Sequence, residues 1–296
     1  MTGTVLILGS SGRFGRHVAE VFWNRGWRLR MFDRATDDLA LAARGADVIV
    51  NGWNPPYDRW QAEVPTLTRA VIDAAQASGA TVLIPGNVYV YGATAPEVLG
   101  AATPHRADNP LGRIRREMES AYRSAGLRTI VLRAGDFIDN QVSGNWFDRV
   151  IAAGVARGGF SYPGPLDVPH AWAWLPDLAE AAEHLARHRS TLPTFADVPF
   201  QGYTLTGRDL HRAAEAALGR GLTLRQMSWL PLQLASPVWP LARHLREMRY
   251  LWSMPHRLAA AEVLRSLPVT PVEEALSQAL APLAQVLAPD KLRVAA

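Results

Sequence analysis

The chain contains 296 residues, of which 48% are hydrophobic and 20% charged, a composition typical of one large globular domain or of a large and a small one. It has no cysteine, which excludes disulfides, thiolate nucleophiles and thiolate metal sites. The net charge is +4, and because the arginines are scattered among carboxylates rather than gathered in a stripe, nucleic-acid binding is not expected. With neither a signal-peptide pattern nor an apolar run long enough to span a membrane, a cytoplasmic protein is expected.

Short apolar runs alternate with helical patterns through the first half of the chain. The first strand leads into an amphipathic helix with Phe14, Val18 and Phe22 on one face, and Gly26 supplies its end. Strands and helices that alternate in this way predict an α/β fold of the Rossmann type, a doubly wound parallel sheet covered by helices on both faces. The predicted strands are 4–9, 27–33, 46–51, 81–86 and 127–135, and the predicted helices are 13–26, 37–44, 65–79 and 110–125.

The pattern changes after about residue 155, where Gly, Pro and aromatic residues become frequent. We therefore expect a sheet domain over 1–165, to which 177–200 returns, and a smaller, mostly helical substrate-binding or lid region over 166–296. Within that region, 229–256 mixes Trp, Pro, Leu and Arg. This segment is typical of a lid over an apolar or aromatic small molecule, of a partner helix, or of a peripheral membrane contact.

A glycine-rich loop joins the first strand to the first helix. Gly9, Gly12 and Gly15 lie where the backbone must turn sharply and where a pyrophosphate would approach the N–H groups of a helix N-terminus. Asp33 follows the last glycine by 33 − 15 = 18 residues, near the spacing of about 20 at which an acid binds the adenosine ribose. The loop therefore predicts dinucleotide binding.

The acid at the end of the second strand also bears on the choice between NAD and NADP. The carboxylate of Asp33 would repel a 2′-phosphate and so favours NAD. Arg34 beside it and Arg13 in the loop could instead accommodate that phosphate. NAD is expected, with NADP as the alternative.

The spacing G-x-x-G-x-x-G and the segments "ADVIVN", "NVYVYG", "LRAGDF" and "WAWLPDLAEAAEHLA" together resemble the extended short-chain dehydrogenase/reductase superfamily, in its NAD-dependent epimerase/dehydratase group. The resemblance covers nearly the whole chain and is most specific over 3–190. It implies a Rossmann-type fold and an NAD(P) cofactor. It also implies a Ser or Thr after the fourth strand and a Tyr-x-x-x-Lys pair, in which Tyr is the general acid/base and Lys lowers its pKa and holds the nicotinamide ribose.

The chain departs from that pattern at all three positions. Asn87 stands at the Ser position, Leu111 at the Tyr position and Arg115 at the Lys position. A further departure is the short connection between Asp33 and 46–51, which predicts that the usual intervening strand is shortened or absent. The residues expected to bind the cofactor are Gly9, Ser10, Ser11, Gly12, Arg13, Phe14, Gly15, Asp33, Arg34, Asn51, Gly52, Arg115 and Ala134.

Tyr89 is the candidate replacement for the missing tyrosine. If 87–89 is extended, Asn87 and Tyr89 project to the same side, toward the nicotinamide. Arg115 would then stabilise the phenolate and contact the ribose. There are two alternative roles for Tyr89. It could pack in the core with its hydroxyl bonded to a backbone carbonyl, or it could orient the substrate. The expected catalytic set is Tyr89, Arg115 and Asn87, and the expected substrate contacts are Trp53, Tyr91, Asp136, Phe137, His170 and Trp172. A structural role for Tyr91 and a buried, hydrogen-bonded ring for His170 are the alternatives at those two positions.

Three functions remain open, of which the sequence favours the first. The first is an NAD(P)-dependent oxidoreductase that moves hydride to or from a small carbonyl, imine or activated alkene, with a non-standard acid/base site. The second is an epimerase or dehydratase with tightly held NAD acting on a sugar-like substrate, and the third is a non-catalytic NAD(P) sensor. The expected partner is a small apolar or aromatic molecule, no metal is expected, and the sequence leaves a homo-oligomer open.

Overall fold

Alternating strands and helices run through the computed structural model, which describes residues 2–284. The strands are β1 Thr4–Leu8, β2 Arg28–Phe32, β3 Val48–Asn51, β4 Thr81–Gly86, β5 Val98–Leu99, β6 Thr129–Arg133, β7 Asp136–Ile138, β8 Gly159–Tyr162, β9 His170–Trp174, β10 Phe195–Pro199, β11 Tyr203–Leu205, β12 Thr223–Gln226 and β13 Arg257–Leu258. The helices are α1 Arg13–Asn24, α2 Leu39–Ala43, α3 Trp60–Ser78, α4 Pro110–Ser124, α5 Leu175–Arg187, α6 Gly207–Leu218, α7 Leu230–Ala235, α8 Pro240–Glu247 and α9 Val272–Ala284.

Six parallel strands form the central sheet in the order β10-β6-β4-β3-β1-β2. The predicted doubly wound parallel sheet is therefore confirmed. Side chains alternate between the two faces along each strand, and the four inner strands are almost entirely buried on both faces, whereas β2 is partly exposed. In β1, Val5 and Ile7 pack on the side of α1 and α5, whereas Leu6 and Leu8 pack on the side of α3 and α4.

The connection between β2 and β3 is as short as the sequence predicts. Within residues 2–284 it contains no strand, only α2, whose N-terminus is capped by Asp38. β2 is consequently an edge of the sheet. Arg30 on this strand donates hydrogen bonds to the carbonyls of Ala42 and Arg44, which ties α2 against that edge.

The remaining strands form small sheets outside the main one. β9 lies between β11 and β7, β12 pairs with β8, and β13 pairs with β5. A third apolar cluster joins β7, β8 and β9 to α6 and α9, whereas Leu99 of β5 and Leu258 of β13 belong to the cluster on the side of α3 and α4. The chain then returns to the main sheet, because β10 pairs with β6. Residues 285–296 of the predicted smaller region lie outside the described residues, and no described helix is long and apolar enough to cross a membrane.

The helix predicted to begin near Pro65 begins instead at Trp60. Trp60 is buried, and its indole N–H donates to the carbonyl of Pro55 at 2.8 Å. Val64 is buried in the same cluster. Burial of these two side chains outweighs the one helical hydrogen bond that the proline ring removes.

One arginine side chain lies entirely inside the protein. Arg133, at the end of β6, donates two hydrogen bonds to Glu119 of α4 at 2.8 and 2.9 Å. It also binds Asp197 of β10 and the backbone carbonyl of Asn87. Gly86 leaves the necessary room, since a Cβ there would lie 3.2 Å from the guanidinium carbon. This single side chain therefore joins α4, β10 and the end of β4.

We expect Arg133→Met to destabilise the protein by about 3–5 kcal/mol, because two buried carboxylates lose their partner. The measurement is the free energy of unfolding in urea. Arg25→Met is the matched control, since it removes an exposed pair with Glu180 and should cost less than about 1 kcal/mol. Equal effects of the two substitutions would show that the buried network does not stabilise the fold.

Candidate functional site

A cleft of about 630 Å³ opens at the carboxyl edge of the central sheet. It lies at the point where the strand order reverses between β1 and β3, the usual ligand position in such sheets. Most of the residues predicted for the site line this cleft. They are Gly9, Ser11, Gly12, Arg13, Phe14, Asn51, Gly52, Trp53, Asn87, Tyr89, Arg115, Ala134, Asp136 and Phe137.

The glycine loop forms one end of the cleft. Gly9 has a φ of +77°, which few other residues adopt. A Cβ on Gly15 would lie 2.1 Å from the carbonyl oxygen of Gly9, so only glycine allows α1 to start this close to β1. No side chain caps the N-terminus of α1. Its first N–H groups therefore remain suited to an anion in the cleft.

Asp33 and Arg34 lie on the exposed rim beyond that end and do not line the cleft. Asp33 is held in a turn, where its carboxylate accepts the N–H of Ala35 at 2.9 Å. Trp53 was predicted to contact substrate, but it lies against the glycine loop, 5.6 Å from the ring of Phe32 and under the guanidinium of Arg34. The structure therefore places Trp53 in the cleft wall, beside the glycine loop and Arg34.

A segment formed by residues 139–145 closes over the glycine loop. Arg13 donates to the carbonyls of Ser143 and Gly144 at 2.8 and 2.9 Å. Asp139 accepts from His17 at 2.9 Å and also pairs with Arg16. The donors of Arg13 are thus engaged across the cleft, so the alternative in which Arg13 receives a 2′-phosphate loses support.

The turn after β4 has a different backbone from the extended one predicted. Residues 88–91 form a 3₁₀ turn, and the side chain of Asn87 caps it by accepting the N–H of Tyr89 at 3.1 Å. Both side chains still line the cleft. Asn87 therefore positions the turn that carries Tyr89.

Tyr89 forms a hydrogen bond of 2.6 Å between its hydroxyl and that of Tyr57. Burial raises the pKa of Tyr89 well above its ordinary value, and the nearby Tyr57 and Asp136 raise it further. Arg115 lowers this pKa, as the sequence predicts, but burial outweighs it. Tyr89 is consequently a neutral phenol at pH 7, a proton donor rather than a phenolate.

Arg115 uses its guanidinium elsewhere. It donates to Asn54 at 2.6 Å and lies over the ring of Trp60 at 4.0 Å. Its Nε is buried without a hydrogen-bond partner, although the side chain lines the cleft. Burial lowers the pKa of Arg115. Leu111, at the position of the family's tyrosine, is buried in the core.

Asp136 supplies a carboxylate to the cleft wall. His170 lies behind it and binds its Oδ2 through Nε2 at 2.7 Å. The ring of His170 stacks on Trp252 at 4.5 Å and meets His256 edge-on. Burial lowers the pKa of His256 to about 3, so a neutral ring backs His170. His170 is thus a positioning residue for Asp136 and no direct contact of a ligand in the cleft.

Burial places two further predicted residues away from the cleft wall. Trp172 is 1% exposed behind Asp136 and does not reach the cleft. Tyr91 is also 1% exposed, because its ring packs on His105 and under Arg133. Ser10 is not part of the cleft wall. Of the described residues 229–256, none lines the cleft, although the ring of Trp229 lies 5.9 Å from that of Trp146, which does.

Several residues of the site were not predicted. Tyr57, Asn54 and Trp60 line the cleft, yet they belong to a Pro-rich connection that gave no helical or strand pattern. Nothing in the sequence indicated the role of Asp139, because its partners lie on α1. His17, for example, precedes it by 122 positions. The "NPPY" sequence before α3 was the one local signal available, as it marks a rigid loop after a strand end.

A cluster of His105, Glu119 and Asp197 has the donor spacing of a metal site. The guanidinium of Arg133 already binds both carboxylates, so the cluster contains its own cation. Buried carboxylates around an arginine form a structural ion pair network. The cluster lies away from the cleft wall.

Known structures share this architecture. MoeE5 in complex with UDP-glucose and NAD superposes with a TM-score of 0.73 at 15% identity, over 94% of this chain and 97% of that one. WbmH of Bordetella bronchiseptica in complex with NAD⁺ gives 0.69 at 16% identity, over 96% and 99%. TunA, an NAD-dependent NDP-hexosamine 5,6-dehydratase, gives 0.71 at 14% identity, over 94% and 96%. The chain has the fold of these enzymes.

The similarity to these structures is visible in the fold and not in the sequence. No protein-family model matches the chain, and no curated protein matches it. Because identity to the similar structures is only 14–16%, the likeness concerns the backbone arrangement. The resemblance of fold that the motifs implied is confirmed.

The contact between Asp139 and α1 should make stability depend on pH. Burial would raise the pKa of Asp139, but hydrogen bonds from His17, Ser143 and Arg16 lower it below its ordinary value. A lowered carboxyl pKa stabilises the fold above the unfolded-state pKa of about 4, and the effect is lost as pH falls through the folded-state pKa. We expect Asp139→Asn to cost about 1–3 kcal/mol at pH 7 and much less at acid pH.

The measurement is urea unfolding of wild type and variant across that pH range. Asp167→Asn is the control, since Asp167 is exposed and pairs only with Arg208 at the surface. A difference between wild type and Asp139→Asn that stays constant with pH would contradict the assigned role.

Proposed function

We propose that this protein is an NAD-dependent enzyme of the epimerase/dehydratase type, acting on a hydroxyl or carbonyl of a sugar-like substrate. The observation that carries the proposal is a single cleft with a phosphate-type glycine loop at one end and a carboxylate and a neutral tyrosine at the other. Two similar structures support the proposal. MoeE5 is in complex with UDP-glucose and NAD, and TunA is an NAD-dependent NDP-hexosamine 5,6-dehydratase.

The residues of the cleft fit the cofactor. The uncapped N-terminus of α1 would hold the pyrophosphate, and Gly12 leaves space for it, since a Cβ there would meet only the Gly9 carbonyl. Asp33 would bind the adenosine ribose, with Trp53 against the adenine. The unpartnered Nε of Arg115 would donate to the nicotinamide ribose. When bound, NAD supplies the reversible acceptance of hydride.

The rim of the cleft favours NAD over NADP. Asp33 is a negative charge at the position of the 2′-hydroxyl, and Arg13 is engaged with residues 143 and 144. Those two hydrogen bonds also close the cleft over the glycine loop. A cofactor beneath them would exchange slowly, as an enzyme that reuses one NAD requires.

The acid and the base of the reaction would come from separate elements. Asp136, a carboxylate oriented by His170, would accept the proton of a substrate hydroxyl. Tyr89, kept neutral by burial, would donate a proton to a substrate oxygen through its hydroxyl, with Tyr57 as its hydrogen-bond partner. Asp136 would therefore act as the base that a Tyr-x-x-x-Lys pair provides in the related family.

A simple reductase with exchangeable cofactor is the second candidate. It is favoured by one observation, the raised pKa of Tyr89, because a neutral phenol serves a reaction that only protonates an alkoxide. Such an enzyme would act on a small carbonyl, imine or activated alkene. In that case Asp136 would orient the substrate.

The test begins with the purified protein. NAD released on denaturation, and epimerised or dehydrated UDP-sugars formed without net change in NADH absorbance, would support the proposal. Net consumption of NADH with a carbonyl substrate would support the reductase. Binding of NAD without turnover of any nucleotide sugar or carbonyl would indicate a sensor, and failure to bind any dinucleotide would overturn both enzymatic functions.

We expect Gly12→Val to abolish NAD binding while the fold persists, because the valine side chain would occupy the pyrophosphate position. Binding is measured by calorimetry and folding by circular dichroism. Gly221→Ala serves as a control for glycine replacement, since its φ is not positive and an added Cβ would make only an ordinary contact of 3.8 Å with Glu215. Unchanged affinity in Gly12→Val would remove the assignment of the loop.

Tyr89→Phe and Asp136→Asn should each lower kcat by roughly 10²- to 10⁴-fold with cofactor affinity nearly intact, the usual effect of losing an acid or a base. Tyr91→Phe is the matched control, because its hydroxyl makes only a long contact of 3.5 Å with Gly100. Steady-state kinetics on the substrate found above gives the comparison. If Tyr89→Phe keeps more than about a third of wild-type kcat, Tyr89 is a packing residue and not a proton donor.

A further inference from the structure

We propose that the helical hairpin formed by α7 and α8, residues 230–247, docks on an anionic lipid surface. Its turn and flanks expose Leu230 at 57%, Leu234 at 72%, Val238 at 87% and Trp239 at 47%. Ten large hydrophobic side chains are exposed in the described part of the chain, and these four fall within ten consecutive positions. Apolar residues concentrated in this way mark a contact surface.

The charge of the segment selects the partner. From residue 216 to residue 246 the sequence contains no Asp or Glu, whereas it contains Arg220, Arg225, Arg243 and Arg246. Glu247 ends this stretch, and its carboxylate is engaged with the start of α4. The apolar tip is therefore followed by Arg243, Arg246 and Arg249, three arginines that lie around a single carboxylate, that of Glu247, on one surface depression. Trp and aliphatic side chains beside arginines are the combination that binds the headgroup region of anionic membranes.

The hairpin holds this surface in a fixed shape. The N–H of Trp239 donates to the carbonyl of Ala235 at 2.8 Å. Arg246 of α8 donates to the hydroxyl of Ser236, which is only 5% exposed. The apolar tip is thus ordered before any contact, which lowers the entropic cost of docking.

A second copy of the chain fits the same surface poorly. A symmetric dimer places the same patch of both copies together, so the arginines of one hairpin would face those of the other. Like charges brought together in this way oppose association. An anionic bilayer meets both the apolar and the charged part of the surface.

Docking would bring the cleft near the lipid surface. Trp229, at the base of α7, lies 5.9 Å from Trp146, which lines the cleft. Residues of α8 also lie beside the 3₁₀ turn that carries Tyr57. Lipid binding itself requires neither the cofactor nor turnover, so this inference stands or fails independently of the proposed function.

The experiment is co-sedimentation of the full-length protein with vesicles of phosphatidylcholine alone and of phosphatidylcholine with phosphatidylglycerol in equal parts. We expect binding to the anionic vesicles only. Val238→Ser combined with Trp239→Ser should weaken it by roughly tenfold or more, as loss of apolar contact predicts. Arg243→Gln should weaken it roughly fivefold, the contribution of one basic charge, and added salt should reproduce that loss.

Trp23→Ser is the matched control, because Trp23 is 68% exposed on α1 and lies outside the hairpin. Circular dichroism of each variant establishes that it is folded. Three results would overturn the inference: no binding to anionic vesicles, equal binding of wild type and the Val238/Trp239 variant, or equal loss in Trp23→Ser. Lipid-free self-association that the hairpin substitutions abolish, without lipid binding, would assign the surface to a second copy instead.

Discussion

The buried guanidinium of Arg133 is the constraint on which the rest of the site depends. It connects the end of β6 to α4 through Glu119, to β10 through Asp197 and to the catalytic turn through the carbonyl of Asn87. A buried charge of this kind is stable only while all its partners remain in place. The turn after β4 is therefore held by a buried side chain that does not itself line the cleft.

Electrostatics distinguish this cleft from one built on a Tyr–Lys pair. The one arginine that lines its catalytic end, Arg115, is engaged with Asn54 and stacked on Trp60, so its charge does not generate a phenolate. Two tyrosines share a hydrogen bond in a buried environment that keeps both neutral. A carboxylate on the opposite element supplies the negative charge. Under the proposed function, the acid and the base would thus be two residues, Tyr89 and Asp136, instead of one.

Local pattern explains which features could be predicted from the sequence. The glycine loop, the alternating strands and the shortened connection after β2 all depend on neighbours close in sequence, and all three are present. The contacts that complete the site are distant. Tyr57 and Tyr89 are 32 positions apart, Asn54 and Arg115 are 61 apart, and Arg13 and Ser143 are 130 apart. The periodicity of the sequence carries no information about such pairs. It therefore does not predict which way Arg115 points or that His170 is buried.

The cap that Glu247 places on α4 has a consequence for how the chain folds. Its carboxylate accepts hydrogen bonds from the side chain of Asn109 and the backbone of Leu111, which precede it by 138 and 136 residues. The first turn of α4 therefore stays without this cap until most of the chain has been synthesised. Contacts of such long range form late and slow the acquisition of native structure. A chain that ends before residue 247 would therefore lack the cap on the helix that carries Arg115.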